Sequence, residues 1–167
     1  MDLKKAVMCW DGKSKEQILQ VFQTFKNVSD FNQTLVNLLE NESAQSGATW
    51  LLKANLEGGA KLSEKQITQL YMSLHLLTSW QSSLHVLQSL PYLLIDEYHI
   101  KPVETFIRFK LMDNNKFVRA WAYNGLYVLA KEHPQYQTEA KSFFEQAMLD
   151  EPASVKARIR NILKMGF

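Results

Sequence analysis

The chain has 167 residues, of which 46% are hydrophobic and 22% charged; this composition suits a folded protein with a buried core and excludes a disordered chain. Its formal net charge of +2 gives no strong overall attraction to nucleic acid or to membranes. Cys9 is the single cysteine, so an internal disulfide is impossible. The apolar run from Ala6 to Trp10 is too short for a signal peptide or a membrane span. We therefore expect a cytoplasmic protein with no membrane partner.

Apolar residues recur at helical spacing through the N-terminal half of the chain. Ser14 with Gln17, and Ser63 with Gln66, match the capping box, in which a serine and a glutamine three residues later satisfy each other's backbone N–H groups. Two glycines at 58–59 end one of the predicted helices. The helices are predicted near residues 14–25, 31–39, 46–57, 63–77 and 80–90.

The C-terminal half continues in the same way after an irregular connection, "PYLLIDEYHIK". Pro102 is well placed in the first turn of a helix, because its missing N–H would have no partner there. Further helices are predicted near residues 115–132, 135–149 and 153–164. No segment shows a convincing alternation of apolar and polar residues, which is typical of β-strands. The chain is therefore predicted to be all-α.

The predicted helices after the first fall into pairs, at residues 30–57, 63–90, 101–132 and 135–164. Two stretches near the ends of the last two pairs repeat each other: "DNNKFVRAWAYNGL" begins at Asp113 and "DEPASVKARIRNIL" begins at Asp150. They share an Asp, a Val, an Ala, an Asn and a Leu at matching positions, with Arg119 opposite Lys156. A period of about 35 residues is typical of a helical solenoid, in which each pair buries its apolar face against its neighbours.

These two stretches resemble the second helix of HEAT-like repeats. That pattern has an Asp, a Val-Arg pair five and six positions later, and small or apolar residues at fixed intervals. The matching residues are Val118, Arg119, Ala122, Gly125, Leu126 and Leu129 in the first stretch, and Val155, Lys156, Ile159, Ile162 and Leu163 in the second. The resemblance covers residues 101–164. It implies a right-handed α-α superhelix, with the four helix pairs and an N-terminal helix in one domain over residues 1–167.

The spacing of the repeated charges predicts a structural ladder. An Asp just before a helix can accept hydrogen bonds from the free N–H groups of the first turn and meets the positive end of the helix dipole. The basic residue six positions later can pair with the Asp of its own repeat or of the next one. The predicted ladder runs through Asp113, Arg119, Asp150 and Lys156.

The aromatic residues give the clearest functional signal. Trp50, Trp80 and Trp121 each lie on the second helix of a pair, which lines the concave side of HEAT-like solenoids. Phe117 and Trp121 lie away from the apolar face that packs the repeat, and Trp with neighbouring Arg and Tyr is typical of an interaction hot spot. The basic residues of the last helix form either a solvated face or a surface for phosphates or an acidic partner. The predicted partner-binding residues are Phe117, Trp121, Tyr123, Trp50, Trp80, Arg158, Arg160 and Lys164.

The sequence offers no catalytic or metal-binding constellation. "WDGKS" lacks the upstream glycine of a phosphate-binding loop, so a turn that leads into the Ser14 cap is the better interpretation. None of the four histidines, His75, His85, His99 and His133, has another at the i, i+4 spacing of two metal ligands on one helix. "DEYH" is interpreted as a solvated connection. We expect no catalytic residues, no cofactor and no metal.

The leading functional hypothesis is a non-enzymatic scaffold, a monomer or weak oligomer, that holds a protein or peptide on its concave face. The alternative is a nucleic-acid binding module or, less favoured, a DNA glycosylase-like enzyme, because HEAT-like folds also occur in alkylpurine DNA glycosylases, which use concave aromatic, Asp and Arg residues. A third hypothesis is an assembly subunit whose apolar face is an oligomer interface.

Overall fold

The structure is a computed structural model that describes residues 1–167. It is built from α-helices, short 3-10 turns and connecting segments and contains no strand, which confirms the all-α prediction. The helices are α1 (Leu3–Met8), α2 (Lys15–Phe25), α3 (Phe31–Asn37), α4 (Gln45–Glu57), α5 (Glu64–Met72), α6 (Trp80–Ser89), α7 (Ile100–Lys110), α8 (Lys116–Glu132), α9 (Gln137–Asp150) and α10 (Ala153–Met165).

The predicted serine caps are present at the starts of two helices. Ser14 Oγ accepts a hydrogen bond from the backbone N–H of Gln17 at 3.2 Å, but the reciprocal half of the box is absent because the Ser14 N–H donates to Asp11 Oδ1 at 2.8 Å. Ser63 and Gln66 make the complete reciprocal box that begins α5. Helix α1 was not predicted, because its six residues hold less than two turns of apolar periodicity; Asp2 caps it.

The polypeptide divides into two compact units, Met1–Leu93 and Leu94–Phe167. The first contains α1–α6 and the second contains α7–α10. Each unit therefore holds two of the four predicted helix pairs. The single repeat domain over residues 1–167 stays a prediction.

Helix α4 forms the centre of the first unit, where it packs most extensively against α6 and also meets α1, α2 and α3. Small residues allow these close approaches. A Cβ atom added to Gly47 would lie 2.9 Å from Val7 Cγ1, so glycine is what lets α1 approach α4.

Buried polar groups on α4 require partners. Gln45 supplies one set, because its Nε2 donates to the carbonyls of Leu39 and Leu76 while its Oε1 accepts from the N–H of Thr78.

Helix α8 forms the centre of the second unit and packs against α7, α9 and α10. From Val118 to Ala130 every residue except Arg119 and Trp121 is buried. A helix that is apolar on nearly all sides either is central in the core or presents a binding patch. Helix α8 is central along most of its length, and its N-terminal turns reach the surface. Within both units the second helix of one pair packs on the second helix of the next, α4 on α6 and α8 on α10.

No helix is both long enough and apolar enough to cross a lipid bilayer.

Candidate functional site

The structure brings two of the predicted binding residues into direct contact. The guanidinium carbon of Arg158, on α10, lies 4.0 Å from the centroid of the Trp121 ring on α8. Both side chains are half-buried. Stacking of a guanidinium on an indole face occupies the flat surface of the cation and leaves its N–H groups at the edge.

Arg158 has no carboxylate partner, unlike Arg108 and Arg119 in the same unit. Arg108 donates to Glu139 at 2.8 and 2.9 Å and to Glu104 at 2.9 Å, and these carboxylates raise its pKa. Burial instead lowers the pKa of Arg158, and its guanidinium makes no hydrogen bond or ion pair with the protein. An arginine remains charged at neutral pH even so. Arg158 is therefore a partly desolvated cation whose hydrogen-bonding capacity is free.

Phe117 extends this surface by one helical turn. It precedes Trp121 by four residues and so lies beside it on the same side of α8. Its ring is 52% exposed. The N–H of Phe117 donates to Asn115, which caps α8, and the Lys116 ammonium lies 5.5 Å from the Phe117 ring centroid. We refer to Phe117, Trp121 and Arg158 as the Trp–Arg face.

Tyr123 belongs to the core, contrary to its predicted place among the partner-binding residues. It is 7% exposed, and its ring meets Phe144 edge-on with centroids 6.5 Å apart. Its hydroxyl donates to Glu151 at 3.4 Å. Burial, together with the nearby carboxylate of Glu151, raises the pKa of Tyr123 to about 12. The pattern "WAY" placed this tyrosine near a hot spot, but two positions along a helix turn it about 200° away from Trp121.

The predicted charge ladder is wrong in its central pair. Arg119 binds the carboxylate of Glu151, with Nε–O and Nη2–O distances of 2.9 and 3.0 Å, and does not pair with Asp150. Asp150 is the last residue of α9 and is exposed, whereas Glu151 comes after the helix end and is free to turn toward α8. Lys156 makes no ion pair.

Asp113 does not cap α8, because Asn115 occupies that position. The Asp113 carboxylate accepts from the N–H of Asn115 at 2.8 Å and lies 3.8 Å from Lys110 Nζ. Its contact with Arg119 is through its backbone carbonyl, at 2.9 Å. Pro152 precedes the first residue of α10, which has no side-chain cap, so Asp150 plays no capping role either.

Arg160 and Lys164 lie apart from the Trp–Arg face. Both are exposed on α10. Positions 156, 160 and 164 share one side of a helix, whereas position 158 lies about 200° from position 156. The basic stripe and Arg158 therefore present separate surfaces.

Trp50 and Trp80 lie in the first unit, on α4 and at the first residue of α6. Trp50 is half-buried, with the Lys53 ammonium 5.8 Å from its ring centroid. Trp80 is 45% exposed. Both tryptophans lie on helices, and the repeat pairing of those helices and the role of the two residues in binding remain predictions.

Sequence reasoning missed a buried polar pair between α4 and α6. Thr49 Oγ1 lies 3.0 Å from His85 Nδ1, and because the threonine hydroxyl donates to the carbonyl of Gln45, we assign the proton of this contact to the histidine. Burial lowers the pKa of His85 to about 4, with Lys53 contributing. The spacing of 36 residues gives no local signal for this pair. No group of three or more His, Cys, Asp or Glu side chains could hold a metal ion.

Comparison with known proteins finds no matching family model, no matching curated protein and no matching solved structure.

Proposed function

We propose that this chain is a non-enzymatic binding module whose Trp–Arg face docks an acidic segment of a partner protein. The observation that carries the proposal is the Arg158 guanidinium, stacked on Trp121 and left without an acceptor. Arg favours carboxylates because its planar fork can bind both oxygens at once. The half-buried indole would contribute apolar contact area beside that polar contact.

The repeated helix pairs support a HEAT-like scaffold as the framework for this face. Packing of α8 on α10 is what brings Trp121 and Arg158 together, and α4 packs extensively on α6 in the first unit. We propose that the pairs belong to a HEAT-like superhelix and that the module is a monomer or weak oligomer. Trp50 and Trp80 would contribute a further contact area on the first unit.

An acidic partner is favoured over nucleic acid because Arg158 does not share a side of α10 with the run of basic residues on that helix. A phosphate backbone is contacted by a run of Lys and Arg along a surface. Here the run at Lys156, Arg160 and Lys164 lies on another side of α10 from Arg158, which is the cation in contact with Trp121.

The test is fluorescence anisotropy with a labelled peptide of alternating Glu and Leu. Its controls are the same peptide with Gln in place of Glu, and a labelled DNA duplex. We expect the acidic peptide to bind at least about tenfold more tightly than the Gln peptide, and replacement of Phe117 and Trp121 by Ala to abolish this binding while helicity by circular dichroism is retained. Equal binding of the two peptides would refute the proposal. Tight DNA binding that weakens steeply with salt and on substitution of Lys156, Arg160 and Lys164 would favour the nucleic-acid alternative.

A further inference from the structure

A cleft of about 360 Å³ opens in the second unit among α8, α9, α10 and the two residues that follow α10. Its deep walls are apolar: Phe144 and Ile162 are each 1% exposed, and the ring of Tyr127 is nearly as buried. The exposed side chain of Leu163 lines its outer part. The Trp–Arg face contributes no residue to this cleft, which is therefore a separate feature.

The backbone of Gly166 and the aromatic ring of Phe167 form the remaining wall of the cleft. Gly166 has φ +63°, a conformation that side-chain-bearing residues rarely adopt, and this turn directs the following residue back over the cleft. Tyr127 Oη donates to the Gly166 carbonyl at 2.8 Å. The Phe167 ring stacks on Tyr127 with centroids 5.5 Å apart and an interplanar angle of 29°. A flat aromatic surface thus borders the opening.

Two ammonium groups lie at the edge of this aromatic pair. Lys141 Nζ is 5.6 Å from the Phe167 ring centroid, and Lys131 Nζ is 5.9 Å from the Tyr127 ring centroid. Neither lysine has a carboxylate within ion-pairing distance, and both are exposed. Aromatic and apolar side chains line this cleft together with Gln137 and Lys141, and the Lys141 side chain is exposed. This combination is complementary to a ligand with an apolar body and one negative end.

We propose that this cleft binds a small amphipathic carboxylate, with an aromatic or short aliphatic body between Phe144, Ile162 and Phe167 and its carboxylate toward Lys141. The size of the cleft falls at the small end of the range for ligand pockets, about 300–1,000 Å³. The site suits a single ring with a short chain. This inference does not depend on the proposed docking of an acidic segment, because it uses other residues.

Titration of the isotope-labelled protein with phenylbutyrate, followed by ¹H–¹⁵N NMR, tests the proposal. We expect saturable shifts of the Tyr127, Gly166 and Phe167 amides, and binding at least about fivefold weaker for phenylbutyramide, which has the same body without the charge. Lys141→Gln should weaken phenylbutyrate binding by a similar factor and leave phenylbutyramide binding unchanged. Lys101→Gln, an exposed lysine on α7, is the matched control and should have no effect.

Three outcomes would overturn the proposal. They are an absence of saturable shifts up to the solubility of phenylbutyrate, equal binding of the acid and the amide, and shifts that map to the Trp–Arg face instead of the cleft. Phe167→Ala provides a second check, because it removes one wall without touching the buried core, and it should weaken both probes. Trp121→Ala should leave phenylbutyrate binding intact, which separates a failure here from a failure of the docking proposal.

Discussion

Arg158 stacks on Trp121 at 4.0 Å and has no acceptor for its N–H groups, whereas Arg119 on the neighbouring helix holds the carboxylate of Glu151. Both cations lie where α8 meets α10, but only one is paired. Arg119 contributes to the stability of its unit through its ion pair with Glu151. Arg158 is unpaired and partly desolvated, which costs free energy. Binding of a carboxylate from a partner would offset that cost.

This difference predicts stability losses of different size for two matched substitutions. Arg158→Gln should change the free energy of unfolding by no more than about 1 kcal/mol, because only the stacking contact with Trp121 is lost. Arg119→Gln should cost about 2 kcal/mol, since it leaves the carboxylate of Glu151 without its charged partner. Urea denaturation followed by circular dichroism measures both. A cost above about 2 kcal/mol for Arg158→Gln would make this arginine a structural residue.

The pairing of Arg119 predicts which of two adjacent acidic residues matters. Glu151→Gln should destabilise the protein by about 2 kcal/mol because it weakens two short hydrogen bonds to a charged group. Asp150→Asn should change stability by less than about 0.5 kcal/mol, since Asp150 is exposed and its negative charge lies at the unfavourable C-terminal end of α9. Thermal and urea denaturation of the two variants decide the matter, and the reverse order of effects would restore the ladder predicted from the sequence.

The buried histidine predicts a loss of stability in mild acid. Its pKa is about 4 in the folded state, against 6.5 for an unperturbed histidine, so the unfolded chain binds the proton more readily. The contribution of neutral His85 to the free energy of unfolding is fully present above pH 6.5. It is lost as the pH falls toward 4, and the total loss is about 3 kcal/mol. Unfolding free energies of His85→Gln and the parent, measured by urea titration across this range, should differ by that amount in their total change between pH 6.5 and pH 4. Substitution of His75, which is exposed, is the control for replacing a histidine and should change the unfolding free energy by less than about 0.5 kcal/mol. Parallel curves for His85→Gln and the parent would contradict the assignment.

Substitution of Gln45, a buried residue of the first unit, is expected to lower the free energy of unfolding substantially. Gln45→Leu keeps the size of the side chain but removes the partner of the Leu39 and Leu76 carbonyls and of the Thr78 N–H. The expected loss of stability is about 3 kcal/mol, because unpaired buried polar groups retain their full desolvation cost. Gln20→Leu, at an exposed position on α2, should change the unfolding free energy by less than about 0.5 kcal/mol. Similar small effects for both would show that the Gln45 contacts contribute little.

The helices could be predicted because their signals are local. Ser63 and Gln66 are three residues apart and form the cap that their spacing predicts, and the apolar periodicity of α8 identifies a long helix. The position of a helix end decides contacts that periodicity does not. Helix α9 continues to Asp150, so the next residue, Glu151, is the one that turns toward Arg119.

The candidate site was predicted in part for the same reason. Phe117 and Trp121 lie on one side of α8 because four residues make about one helical turn. That Arg158 and not Arg160 meets Trp121 depends on how α10 is rotated against α8, which is set by the burial of Val155, Ile159 and Ile162. The charge pattern alone treated the basic residues of α10 as a group. Tyr123 was misassigned because its aromatic character suits a core and an interface equally well.

The most direct test of the Trp–Arg face compares the affinity of the acidic Glu–Leu peptide for two variants that carry the same change in charge. Arg158→Gln and Arg160→Gln each remove one cation from α10. We expect Arg158→Gln to weaken binding by at least about tenfold and Arg160→Gln to change it by less than about twofold, because a cation in contact with the peptide contributes more than a solvated one. Equal losses for the two variants would mean that the peptide responds to the net charge of α10, and the proposed docking site would be wrong.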